Sequence, residues 1–388
     1  MRKRLCVVGP GFRFLSGLSV YTCTLAGALN EDFDVSVLLL RQLLPRRLYP
    51  GSARVGDALT SLDYDNVPHF DGVDWFWGRS LLQGLHFLRQ QRPDALVLQW
   101  WTAAVGHTYL VLALVARLRK IPILIEVHEV QDPGEAGSPI VKRYGRLVLG
   151  GLLRLSSGVL LHHEHDRELL AAEGFDLARK RTAVAPLGPF GHLSAVPAVA
   201  PAELSRSPLT AQLASCRSLL FFGLIRPYKG LEDLVTAFSA LPREAAERLV
   251  LTVVGETWEG WTLPLELLEQ SPHRDRVRLV NRYVTDAEAA YVFAEAEVLV
   301  LPYRRASSSG PLHIAMAQGL EVIIYDVPAL RAEVQDYEGA EVVPLGNVES
   351  LGTALMRVVD RPARRFEPAG DWRRTVGAYQ ELTRGTAS

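Results

Sequence analysis

The chain has 388 residues, 48% hydrophobic and 22% charged, a length that suits two cores and a composition that excludes a disordered protein. Its 42 basic and 43 acidic residues leave a formal charge of −1, which gives no electrostatic case for nucleic acid as a main partner. Three scattered cysteines, Cys6, Cys23 and Cys216, share no metal-ligand spacing and read as reduced thiols of a cytoplasmic protein.

The first apolar run, 5–8, is too brief for the core of a secretion signal and reads as a strand ending at Gly9-Pro10-Gly11. Gly9, Gly11 and Gly17 allow a tight loop into a helix starting near Ser19, although the dinucleotide-binding glycine spacing is absent. A second strand, 35–40, leads into the basic and apolar stretch 41–49. That stretch reads as a solvated loop, or as a weak contact with an anionic membrane. After a strand at 95–98, the segment 100–118 approaches the length of a membrane span. Gly106, His107 and several hydroxyl side chains interrupt it, so a buried or half-buried helix beside a sheet is expected. Strands at 121–127, 159–162 and 182–185 complete the first series. The first of these ends at His128 and Glu129. The next ends in a cluster of His162, His163 and His165, with Asp166 and Glu168 following, read as a solvated helix start in preference to a metal site.

Residues 194–218 are rich in alanine, proline and serine, and their prolines suit neither a central strand nor an unbroken helix. They read as a linker between a domain at 1–193 and another at 219–369. The pattern then restarts with strands at 219–222, 249–254, 277–280, 298–301, 322–325 and 341–343. Several runs are apolar throughout, as when helices cover both faces of a sheet. Repeated strand–helix–strand order implies two doubly wound parallel sheets. A final helix is expected within 370–388.

In such sheets ligands bind at the carboxyl ends of strands, where helix starts face an anion. Two segments of the second half fit a diphosphate. In the first, the strand 219–222 ends at Gly223, Arg226 and Lys229 share a short loop, and Gly230 opens a helix. Arginine supplies forked donors and lysine a point charge. In the second, the strand 298–301 is followed by Ser307, Ser308, Ser309, Gly310 and Pro311, where a serine can cap a helix or meet a phosphate oxygen. His128, at a strand end, is either a structural histidine or a site residue.

At these residues the sequence resembles the group 1 family of retaining glycosyltransferases with the GT-B fold. The carrying segments are Phe222 through Gly230, Val298 through Tyr303, Ser309-Gly310 with Ala315 through Gly319, and Val127-His128-Glu129. The resemblance implies two Rossmann-like domains facing a deep cleft, with the C-terminal helix packing back on the N-terminal domain. It implies a donor diphosphate held by Arg226 and Lys229, completed by Ser309, Gly310, Pro311 and Leu312, and approached by Gly17 from the other domain. The base is expected near Tyr283 and Val284, and His128 beside the transferred sugar. Glu129 and Glu135 are weaker candidates for sugar or acceptor contact.

Most relatives carry two glutamates with seven residues between them; here Ala306 and Ile314 occupy those places, and Glu256 is a substitute carboxylate to be considered. The expected activity is sugar transfer, with retention, from a nucleoside-diphosphate sugar to a glycan, lipid-linked or small-molecule acceptor. Neither metal nor other cofactor is expected, and the expected location is the cytoplasm or the inner face of its membrane. A non-catalytic binding subunit and a sugar-nucleotide epimerase are the alternatives.

Overall fold

The computed structural model describes residues 2–12, 17–42, 62–64, 66–74, 77–130, 139–258 and 260–384. They form two compact units, residues 1–188 with 371–388, and residues 189–370. The first unit runs β1 (Arg4–Pro10), α1 (Gly17–Leu29), β2 (Asp34–Gln42), β3 (His69–Asp74), α2 (Arg79–Gln91) and β4 (Ala95–Trp100). It continues with α3 (Gly106–Leu118), β5 (Ile123–Val127), α4 (Pro139–Leu155), β6 (Gly158–Leu161), α5 (Glu164–Ala172) and β7 (Arg181–Val184). The second unit holds α6 (Ala202–Ser205), β8 (Arg217–Phe222), α7 (Leu231–Ser239), α8 (Arg243–Ala246), β9 (Leu249–Val254), α9 (Leu263–Gln270) and β10 (Val277–Val280). Then come α10 (Asp286–Glu295), β11 (Val298–Leu301), α11 (Gly310–Ala317), β12 (Glu321–Tyr325), α12 (Pro328–Glu333), β13 (Ala340–Val343) and α13 (Val348–Asp360). The last helix, α14 (Arg373–Thr383), lies in the first unit against β6 and β7.

Both sheets are parallel. Their orders are β3-β2-β1-β4-β5-β6-β7 and β10-β9-β8-β11-β12-β13. Helices cover both faces, which is why β4, β5, β9 and β12 are buried at every residue and read as mainly apolar runs, each carrying one polar residue: Gln99, Glu126, Thr252 and Glu321. Chain direction through each sheet reverses once, between β1 and β4 and between β8 and β11. Such a reversal opens a crevice at the carboxyl ends of the two strands.

One strand joins those expected from the sequence, and residues 194–218 carry structure of their own. The strand β3, HFDGVD, has no apolar run; among the described residues it is an edge strand paired with β2, with irregular register beside Leu40. The stretch 194–218, read as the linker, lies within the second unit and is packed there. Leu204 and Leu209 are buried, Glu203 pairs with Arg282 at 2.8 Å, and Arg276 donates to Gln212 at 2.5 Å. Its prolines act locally, Pro201 preceding α6 and Pro208 opening a 3-10 turn, as the fixed proline φ favours.

Within 100–118, α3 buries Tyr109, Leu112, Ala113 and Ala116. Among the described residues, no helix is long and apolar enough to cross a membrane. Arg41, at the start of the stretch read as a solvated loop or weak membrane contact, donates through Nε to the buried Asp74 at 2.9 Å; residues 43–49 lie outside the described residues.

Candidate functional site

The carboxyl ends of β8 and β11 bring the two diphosphate-type segments of the sequence together. After β8 the backbone turns through Gly223, and Arg226 stands immediately before the 3-10 turn Pro227–Lys229. Gly230 closes the loop at φ 65°, and a Cβ there would lie 2.0 Å from the Pro302 carbonyl oxygen. Only glycine therefore lets this loop sit against the end of β11. The Lys229 ammonium lies 3.7 Å from the Tyr303 ring centroid, and Tyr303 is buried, with burial pushing its phenol well above the usual range. A cation held over an aromatic face in this way is attracted by the ring quadrupole.

Three cations gather round one ring. Arg226, Lys229 and Arg305 lie 5.3, 5.2 and 5.1 Å from the Tyr228 centroid, and Arg226 lies 5.8 Å from the Trp258 ring. Arg305 has no counterpart among the expected site residues. Its neighbour Arg304 points elsewhere: it donates to Glu232 at 2.5 Å and Asp233 at 2.8 Å, and to the Pro227 carbonyl at 3.1 Å. Glu232 and Asp233 sit in the first turn of α7, where carboxylates complement the helix dipole. The start of α7 is thus supplied with anions by its own chain.

The start of α11 has no acidic residue in its first turn. Ser309 caps it, accepting from the Leu312 amide at 3.4 Å, and is buried; Gly310 and Pro311 are its first two residues. An added Cβ on Gly223 would meet Tyr303 Oη at 3.6 Å and Pro311 Cγ at 4.0 Å, so the cationic loop and the α11 start are neighbours. Ala306 is half-buried, and Ile314 is buried in α11. Glu256 accepts from Trp258 Nε1 at 3.1 Å, and its carbonyl accepts from Ile225 at 2.9 Å. Val284 is buried beyond β10, and the Tyr283 carbonyl accepts from Arg282 at 3.0 Å.

In the first unit, Gly17 opens α1, and His128 and Glu129 follow β5, each with its amide directed at the Trp100 carbonyl, at 2.8 and 3.4 Å. Glu135 lies outside the described residues. The His128 ring turns inward, with Nδ1 at 3.1 Å from His162 Nε2 and Nε2 at 3.5 Å from Glu126. His162, expected on a solvated helix start, is buried, as is His163. The reason is Glu126, a carboxylate in the fully buried strand β5. It accepts from Tyr21 Oη at 2.5 Å and Gln99 Nε2 at 2.9 Å. Gln99 in turn accepts from Thr22 at 2.6 Å, and its amide fills the space a Cβ on Gly9 would need. The Ala185 carbonyl, 3.1 Å from His162 Nδ1, fixes that histidine's tautomer, so Nε2 accepts from His128.

Burial alone would raise the Glu126 carboxyl, but His128, then His162 and Tyr21 hold it down at about 2. Burial, reinforced by His128, lowers His162 to about 3. Glu126, His128 and His162 present ligand atoms within 4.8 Å of one another, a set chemically able to hold a metal ion. One hydrogen bond, between His128 Nδ1 and His162 Nε2, joins members of the set. Tyr21 and Gln99 escaped the sequence reading; Glu126 was visible there only as a charge inside an apolar run.

Residues 216–361 match the family described as glycosyl transferases group 1, and residues 16–188 the glycosyl transferase 4-like domain. The chain is 29% identical over 127 residues to O-antigen chain mannosyltransferase B of Escherichia coli, covering 32% of each chain. It is 34% identical over 107 residues to GDP-mannose:glycolipid 4-beta-D-mannosyltransferase of Xanthomonas campestris pv. campestris, covering 27% of this chain and 29% of that one. The match therefore spans about a third of the length of these curated relatives. An Anabaena protein, HepE, solved in complex with UDP and glucose, shares the fold, with a TM-score of 0.62 at 14% identity, over 99% of this chain and 95% of that one.

Proposed function

We propose that this chain, which belongs through both of its units to the GT-B glycosyltransferases, transfers a sugar from a nucleoside-diphosphate sugar to an acceptor. The observation that carries the reading is the cationic loop of Arg226 and Lys229, placed beside the acid-free start of α11 at the reversal point of the second sheet. The bond from the anomeric carbon to the phosphate oxygen breaks and a bond to the acceptor oxygen forms. Negative charge then grows on the departing diphosphate, where a guanidinium, an ammonium and a helix start would stabilise it. The acceptor's proton passes to the leaving phosphate, with attack on the same face and retention of configuration. Tyr283 and Val284 would line the base, through backbone groups.

His128 contributes less in this scheme. A ring nitrogen reaches the sugar only if the imidazole turns away from Glu126 and His162. One relative is named for GDP-mannose and a structural neighbour holds UDP, so guanosine and uridine donors are the first to test. The reading places the protein in the cytoplasm, with a glycan or lipid-linked acceptor and no metal requirement.

The test is diphosphate release from GDP-mannose and UDP-glucose, with and without a lipid-linked glycan, in the presence of a chelator. Release that depends on the acceptor and survives the chelator supports the scheme. An NMR spectrum showing inverted anomeric configuration would remove same-face attack. A second reading, a nucleotide-binding subunit without turnover, draws on Ile314, buried and apolar where most relatives place a glutamate. Saturable donor binding with no release from either donor would establish it instead.

A further inference from the structure

The first unit carries a surface that sugar transfer does not use. Gly145, Val148, Leu149, Leu152 and Leu153 of α4 are buried against the unit. The face turned to solvent would ordinarily be polar. Here Ile140 is 81% exposed and Leu147 68%, with Tyr144 and Val141 also exposed between them. The neighbouring helix α3 packs alongside: a Cβ on Gly106 would meet Val148 and Tyr144, and one on Gly151 would meet Leu110. It exposes Leu118 by 84% and Leu114 by 52%.

The charges among these side chains share one sign. Lys142, Arg143, Arg146 and Arg154 lie on α4, which has no acidic residue, and Arg117, Arg119 and Lys120 cluster at the end of α3. Of these, Lys142 is partly engaged by Glu173, the residue just after α5, at 3.7 Å. Against a chain whose formal charge is −1, this is a local concentration of cations. A second copy is a poor occupant, because a two-fold interface would set the same basic face against itself. An anionic bilayer suits both features: the apolar side chains enter the acyl boundary while the cations meet the headgroups.

We infer that the outer face of α4, flanked by Leu114 and Leu118, docks on a bilayer containing anionic lipid. Since β5 and β6 are parallel, α4 runs back from the carboxyl edge of the sheet. Ile140 falls in its first turn, at the edge that holds His128, Leu147 at mid-helix, and Leu118 at the far end of α3. Docking therefore lays both helices along the membrane surface with the His128 edge at one end of the footprint, where a lipid-linked acceptor would be met.

The experiment is flotation of the full chain with vesicles of phosphatidylcholine alone and of phosphatidylcholine with phosphatidylglycerol, at low and high salt. The expected result is binding to the anionic vesicles only, reduced by salt. Arg143→Gln and Arg154→Gln should each weaken it by about fivefold, and Ile140→Ser with Leu147→Ser should abolish stable flotation. All these side chains are exposed, so melting temperature and the thermal shift with nucleoside diphosphate should stay as in the parent. That separates the proposal from the transferase reading, on which it does not depend. Equal binding to both vesicle types, absence of binding to either, or wild-type flotation of the variants would overturn it. So would a concentration-dependent dimer abolished by Ile140→Ser and Leu147→Ser, since the face would then be a protein interface.

Discussion

Replacing Lys229 or Arg226 by alanine removes one of two cations from the loop between β8 and α7 and leaves its backbone frame intact, because Gly230 and the Arg304 backbone amide, 2.8 Å from the Tyr228 carbonyl, hold that frame. A hydrogen bond from a charged donor contributes ~1.5–3 kcal/mol, so each variant should bind a nucleoside diphosphate roughly 10- to 150-fold more weakly. At a ligand concentration ~100-fold above the parent Kd, binding adds ~2.7 kcal/mol to stability. A variant with a ~100-fold higher Kd gains only ~0.4 kcal/mol at that concentration. For a unit the size of residues 189–370, each kcal/mol moves Tm by about 2–4 °C, so a rise of roughly 5–10 °C should shrink to about 1–2 °C. Thermal shift with GDP and UDP measures this directly. Arg304→Ala is the contrasting variant: it strips the partner from Glu232 and Asp233, and should lower the melting temperature without ligand while the ligand-induced rise persists. A full rise in both Arg226→Ala and Lys229→Ala would refute the assignment of the diphosphate to this loop.

Gly230→Ala must hold a side chain at positive φ, at a cost of ~1–2 kcal/mol, and displace the Pro302 carbonyl as well; both Tm and nucleotide binding should fall. Glu126→Leu leaves Tyr21, Gln99 and His128 facing an apolar side chain and should destabilise by ~3–5 kcal/mol. Glu126→Gln retains an acceptor and should cost less, and equal urea midpoints for the two would deny Glu126 its role as a charged anchor. Acid should unfold the first unit through His162 and Glu126. Both groups titrate lower when folded, so their stabilisation is full above the unfolded values of 6.5 and 4.5 and is lost as pH falls toward about 3 and about 2. Tm measured across pH 7 to 4 should therefore decline below about 6.5, and His162→Gln should flatten the portion above pH 4.5. A profile unchanged by that substitution would contradict a buried neutral imidazole.

Strands buried on both faces announced themselves, since a parallel sheet between helix layers leaves no polar register to break the run. The exception, β3, is exposed along one edge and carries His69, Asp71 and Gly72, so nothing in its six residues opposes a loop. The two segments proposed for a diphosphate were legible because glycine, proline and cations adjoin a strand end within a few positions. Side-chain partnership was not. Arg304 and Arg305 are adjacent in sequence, yet one is tied to two carboxylates and the other lies over Tyr228; only the fold distinguishes them. The same holds for Glu126, whose partners Tyr21 and Gln99 lie 105 and 27 residues away, beyond the reach of any periodicity. His162 follows an apolar strand and precedes acidic residues, a pattern equally suited to solvent, and its burial depends on the Glu126 carboxylate that β5, the preceding strand, places beside it.

The position of α14 bears on the order in which this protein is made. Trp372 lies over the backbone of Gly188 and beside Tyr21, Tyr379 is fully buried, and Leu382 packs near Gly158. These residues are synthesised after the whole of 189–370, so on the ribosome the later unit can finish folding while the earlier one still lacks a wall of its interior. Truncation before Asp371 should therefore damage the part of the molecule that was translated first and spare the part translated last.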